Sequence, residues 1–132
     1  TMTSLSFVLL LVLASLVQLS SSAIPCKINL TLHSQTAKKF RVDLTVPSLV
    51  MKADNMIFNA KDERKKIEVA GKDCDTKKWL VQSFKPAAND QWEQVGNISA
   101  KFFGTGSIRI IFSDDLKPQL KDLNGVWFTE GM

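Results

Sequence analysis

Apolar and polar residues alternate with little interruption between Cys26 and Val46. Cys26, Ile28, Leu30 and Leu32 are interleaved with Lys27, Asn29, Thr31 and His33, and Phe40, Val42, Leu44 and Val46 with Arg41, Asp43 and Thr45. A period of two sends one set to a core and the other to water, the mark of a half-buried strand. Two such runs joined by the polar link Ser34–Lys39 predict an antiparallel hairpin, with His33 at the water-facing end of its first strand.

The pattern continues in shorter pieces. Pro47-Ser48 stops the second run, because proline cannot donate to a ladder. Leu49, Met51, Met56 and Phe58 fit either strand or a short helix. Lys66–Ala70 alternates again until Gly71, and with Met56–Asn59 predicts a second hairpin. Trp79–Phe84, Trp92–Val95 and Ile98–Phe103 read as strands. Gly104-Thr105-Gly106 reads as a tight turn into a strong strand at Ile108–Phe112. Ser113-Asp114-Asp115 can start a short helix that Pro118 limits. Leu120, Leu123, Val126 and Trp127 then pack the chain end onto the sheet. Seven or so short strands predict one all-β domain, a small closed or partly open antiparallel barrel or sandwich with at most a short helix.

Residues 1–23 stand apart. They hold no charged side chain, an apolar stretch from Ser6 to Val17, and small residues at Ser21-Ser22-Ala23. That is the layout of a secretory signal peptide, too short for a spanning helix of roughly 20 apolar residues. The expected domain is residues 24–132, secreted and extracellular, with no stable membrane insertion. All 17 basic and 13 acidic residues lie in it, so it keeps the net charge of +4. A charge of this size favours acidic partners weakly and dictates none. In a secreted chain, two cysteines, Cys26 and Cys74, suggest one disulfide; free thiols or an intermolecular bond are the alternatives. Asn29-Leu30-Thr31 and Asn97-Ile98-Ser99 are sequons, making Asn29 and Asn97 candidate N-glycosylation sites.

Catalytic chemistry finds little support. His33 is the single histidine, Ser34 beside it has no supporting motif, and zinc-type Cys/His spacing is missing. Asp114-Asp115 lacks the flanking oxygens of a calcium loop. The glycines at 104 and 106 precede no lysine and no helix, which argues against a phosphate cradle. The expectation is a non-enzymatic protein with no cofactor and no metal. Basic residues recur at Lys38, Lys39 and Arg41, and at Arg64, Lys65 and Lys66. Outside the cell their partner would be a sulphated glycan or an acidic protein surface, not nucleic acid. Trp79, Trp92 and Trp127 are expected in the core. Met51 and Met56 could line an apolar pocket, so a carrier of a small apolar ligand is the rival reading.

The opening Ile24-Pro25-Cys26-Lys27-Ile28, the segment Lys72-Asp73-Cys74-Asp75 and Phe102-Phe103-Gly104-Thr105-Gly106 resemble the small excretory–secretory proteins released by parasitic hookworms. The resemblance spans residues 24–132. It implies an OB-type barrel similar to the netrin-like module of tissue inhibitors of metalloproteinases. It also implies a host-directed immunomodulator whose partner is a host protein or receptor; the expected state of the chain is a monomer. The inhibitors' own mechanism needs a free N-terminal cysteine in a Cys-x-Cys opening. Here Ile28 replaces the second cysteine and Pro25 precedes the first. The resemblance therefore implies the scaffold and not the zinc-chelating amine.

Overall fold

The computed structural model describes residues 25–129. The predicted signal peptide lies outside the described residues. Seven strands account for nearly all regular structure: β1 (Cys26–Ser34), β2 (Phe40–Val46), β3 (Met51–Phe58), β4 (Arg64–Gly71), β5 (Trp79–Pro86), β6 (Trp92–Phe112) and β7 (Pro118–Thr129). The described residues add two single 3-10 turns, Pro47–Leu49 and Ala88–Asp90. The strands form one strongly curled sheet in the order β3-β2-β5-β6-β1-β4, with β7 also on β6. The architecture is all-β and partly open, as the strand spacing predicts. Every pairing is antiparallel except β1 with β6.

β6 organises the curl. Its first half pairs with β5, from Trp92↔Pro86 to Ala100↔Trp79. Its second half pairs with β1, from Thr105↔Lys27 to Phe112↔Ser34. One strand thus belongs to two sheet regions whose inner faces enclose a shared core. Gly104-Thr105-Gly106 is not the predicted turn; the strand runs through it. Here β7 approaches so closely that a Cβ on Gly106 would collide with the Asn124 carbonyl oxygen. Gly104, at φ 115°, occupies backbone space that side-chain-bearing residues rarely reach. The glycines serve a bulge and a close backbone approach, where composition alone reads as a reversal.

Neither predicted hairpin forms. β1 lies between β4 and β6, whereas β2 lies between β3 and β5. Alternation assigns a face to each strand and says nothing about its neighbour. Both inward sets are buried as predicted: Ile28, Leu30 and Leu32 from β1, and Phe40, Val42, Leu44 and Val46 from β2. They meet in one core cluster rather than across one ladder. β3 and β4 likewise pair with β2 and β1, not with each other.

Aromatic rings fill that core. Phe40 and Phe58 stack at 4.7 Å, with Phe112 5.0 Å from Phe40. Trp79 packs 4.9 Å from Phe102. Each such side chain contributes roughly 1.5–3 kcal/mol by leaving water. Cys26 and Cys74 are disulfide-bonded with a Cα–Cα distance of 5.9 Å, within the ordinary range. The bond ties the start of β1 to the segment before β5. Beside it the Trp79 indole N–H donates to the Cys74 carbonyl at 2.8 Å. Residues 113–117 form turns and not the predicted short helix. Leu116 sits at φ 63°, and an Asp115 carboxylate oxygen accepts the Lys117 N–H, so the acidic pair closes a turn instead of opening a helix. Among the described residues, no helix is long and apolar enough to cross a membrane.

Candidate functional site

A groove of about 570 Å³ opens beside the start of β2, the end of β5 and the 113–117 turn. Lys38, Lys39 and Lys85 line it together with Asp114 and Asp115, over an apolar floor of Pro86, Val95 and Leu116. A second groove of about 260 Å³ shares Lys39 and Pro86 and extends along Asp90, Gln91 and Trp92. The two form one trough along the β5–β6 connection.

The lysines are partly held. Lys38 Nζ donates to the Asp114 carbonyl oxygen at 2.9 Å, which pins β2's approach to the turn. Lys85 Nζ lies 3.6 Å from a Glu93 carboxylate oxygen. Lys39 Nζ sits 5.8 Å from the Trp92 ring centroid, within reach of a cation–π attraction. Both signs of charge and an aromatic wall therefore share one trough.

Arg41 does not join this surface as the sequence suggests. Its guanidinium lies 4.0 Å from the Phe84 ring centroid and 5.4 Å from that of Trp92. It also donates to Asp43 at 3.1 Å, and its side chain is mostly covered. Arg41 thus holds Trp92 in place and has little surface left for a partner. Arg64, Lys65 and Lys66 belong to β4, paired with β1 at His33, Leu32 and Thr31. Lys65 bonds Glu63 at 3.3 Å and covers the Phe58 ring. Lys66 lines a different groove, with Asn29, Thr31 and Glu68. The basic positions are divided between separate grooves and do not form one patch. Lys85 and Trp92 line the trough without a signal in the sequence; Trp92 reads as core because a tryptophan beside a strand pattern usually is.

Glu63 closes the neighbouring 59–63 turn. Its carboxylate accepts the Asn59 N–H at 2.9 Å. That hydrogen bond holds its pKa below the ordinary carboxylate value; partial burial opposes it, and Lys65 helps.

His33 is buried, not exposed, at 4% of its free surface. Its Nδ1 is 3.2 Å from Arg109 Nη1 and its Nε2 is 3.3 Å from an Asp62 carboxylate oxygen. Arginine only donates, so Nδ1 accepts and the proton resides on Nε2, pointing at Asp62. Arg109 continues the chain to Asp122 at 2.6 Å. This polar row fastens the 59–63 turn and β7 across the outer face of β1 and β6. Both ring nitrogens are occupied, and the Ser34 hydroxyl donates to the Thr36 carbonyl at 2.9 Å instead of to the ring. Asn29 and Asn97 are exposed on β1 and β6. Met51 and Met56 pack partly buried against the core. Among the described residues, no group of three His, Cys, Asp or Glu side chains could hold a metal.

No family model matches the chain, and no curated protein matches it. Among solved structures, pneumolysin aligns at 13% identity over 74% of this chain and 23% of its own, with a TM-score of 0.43. The human-specific toxin intermedilysin aligns at 13% identity over 74% and 23%, with a TM-score of 0.41. This chain thus spans about a quarter of the length of those proteins. A likeness at such TM-scores assigns neither fold nor activity.

Proposed function

We propose that the chain is a secreted, non-enzymatic binding protein of the excretory–secretory kind, which modulates a host protein by holding a segment of it in the trough. The observation that carries this reading is the mixed lining: Lys38, Lys39 and Lys85 against Asp114 and Asp115, with Trp92 and Pro86 as apolar walls. A protein segment offers both charge signs and apolar side chains together. A sulphated glycan offers one sign, and the two aspartates would repel it. The extracellular setting draws on the predicted leader, the sequons and the disulfide, which is compatible with an oxidising compartment. The absence of turnover draws on His33, whose ring is committed to Arg109 and Asp62. No observation favours the apolar carrier over this reading.

The test is affinity capture from serum or tissue extract with the wild-type chain and with a Lys39→Glu, Trp92→Ala variant. A protein retained by the first and lost by the second supports the reading. Identical capture by both overturns it. A heparin column tests the glycan alternative, which requires elution above physiological ionic strength, about 0.15 M.

A further inference from the structure

The polar row across the outer face of β1 and β6 exists in one protonation state only. His33 Nδ1 accepts from Arg109 Nη1 at 3.2 Å, and Nε2 points at Asp62 at 3.3 Å. Arginine keeps its protons and only donates, so the Arg109 contact requires Nδ1 to be bare. Histidine is the side chain whose charge changes between about pH 5 and 8. His33 is the single histidine of the chain.

Protonation acts differently on the two partners of the ring. The Asp62 bond keeps its donor and becomes charge-assisted. On the other side a new N–H meets a guanidinium N–H, so two donors and two like charges confront each other. One group must withdraw. His33 is 4% exposed, on a strand paired on one side with β4 and on the other with β6, so its ring stays. Arg109 is the freer group. Its side chain is 32% exposed, its Nε makes no hydrogen bond among the described residues, and its other hold is Asp122 of β7 at 2.6 Å.

The part of β7 that carries Asp122 is the weakest in its ladder. Asp122 and Leu123 fall between the rungs Ser107↔Asn124 and Arg109↔Lys121 and have no register partner. Asp122 also sits at φ 48°, backbone space that a residue with a side chain enters at a cost. The other charges around the ring offer Arg109 no substitute acceptor. Arg64 is the register partner of His33 on β4, Lys66 that of Thr31, and Lys121 that of Arg109 on β7, all cations. In the 59–63 turn, Lys61 is a further cation, and the Glu63 carboxylate is committed to the Asn59 N–H and to Lys65.

We infer that His33 is a pH-sensitive latch on β7. The neutral ring docks Arg109, and through Arg109 and Asp122 it holds the β7 bulge on the sheet. The protonated ring releases Arg109 and the bulge while keeping the 59–63 turn through Asp62. The rungs from Phe112↔Pro118 to Ile110↔Leu120 separate the bulge from the 113–117 turn, so the release stays local and leaves the trough as it is.

The test is nuclear magnetic resonance of the isotope-labelled secreted chain from about pH 8 to 4.5, a window that spans imidazole titration. The His33 ring proton on Cε1 gives the titration curve of the ring without overlap from another histidine. The amide signals of Arg109 and of residues 121–123 are expected to move on that same curve. The Arg109 Nε–H, buried while latched, should exchange with water about 10- to 100-fold faster below the midpoint after correction for the intrinsic effect of pH, the weight of one hydrogen bond to a charged group. His33→Gln offers Arg109 an amide oxygen at every pH and should show no step. Asp62→Asn removes the carboxylate nearest the ring and should keep the step, which separates His33 from Asp62 as its origin. The wild-type comparison of the two curves needs no variant and decides the inference even where His33→Gln does not fold. A ring that does not titrate in the window, β7 signals that ignore its curve or follow another midpoint, an identical step in His33→Gln, or loss of the step in Asp62→Asn overturns the latch.

Discussion

Removing the disulfide by the double substitution Cys26→Ala, Cys74→Ala opens the link between β1 and the segment leading into β5. The bond closes a loop with a sequence separation of 48. The chain-entropy relation gives a loss near 13.6 cal/mol/K for that loop, or about 4 kcal/mol at 25 °C. The 105 described residues imply an unfolding entropy of about 0.22 kcal/mol/K near the midpoint. The quotient is a fall in Tm of about 18 °C. Both cysteines are buried, so lost packing works in the same direction. Trp79 reports the site directly, because its indole N–H bonds the Cys74 carbonyl. The assay is thermal unfolding followed by tryptophan fluorescence and circular dichroism, with the wild type in oxidised and reduced buffer as a control. A fall of less than about 5 °C in both the variant and the reduced wild type would refute the reasoning, since the bridge would then constrain little of the unfolded ensemble.

Other perturbations have equally direct readouts. Phe40→Ala empties the centre of the Phe40–Phe58–Phe112 cluster and should cost about 3–5 kcal/mol, read from the urea midpoint at unchanged m-value. His33→Ala removes the ring acceptor of Arg109 Nη1, leaving Arg109 only its contact with Asp122, and removes the ring donor to Asp62; the expected loss is about 1–3 kcal/mol. In the wild type, long-range proton–nitrogen spectra should show the His33 proton on Nε2 at neutral pH. Glu63 has its folded-state pKa depressed by the Asn59 N–H. Its contribution is therefore fully present above the unfolded value near 4.3 and disappears as pH falls through the lower folded value. Glu63→Gln should accordingly be less stable than wild type at pH 7, with the two curves converging in acid.

Strand existence was readable because side-chain direction along an extended chain depends only on local geometry. Ile28–Leu32, Phe40–Val46 and Ile108–Phe112 bury the faces their alternation assigns. The disulfide partner was readable because only one intramolecular pairing exists. Neighbour relations were not readable. β1 and β2 are adjacent in sequence and share a core, yet no ladder bond joins them. The same inward pattern suits either partner, and the choice rests on the long β6, which appears in sequence as shorter runs broken near Gly96 and at Gly104–Gly106. His33 departs from its expected water-facing place for a related reason. It points outward as alternation requires, but Arg109 and Asp62 cover it, and both arrive from distant positions in the chain. The trough was half visible. Lys38 and Lys39 stand out as a basic pair, whereas Lys85, Trp92 and the aspartates join them only after folding. Trp127 reads as core by type and is 62% exposed, because among the described residues β7 pairs only with β6 and its other edge is open.

The most direct measurement of the central claim places a photo-reactive phenylalanine analogue at position 92 in one preparation and at position 66 in another, then irradiates each in host serum or tissue extract. Position 92 lies in the trough and position 66 lines a separate groove on β1 and β4. A discrete protein adduct from position 92 that position 66 does not give is the predicted result. Adducts of the same identity and yield from both positions, or from position 66 alone, would contradict it.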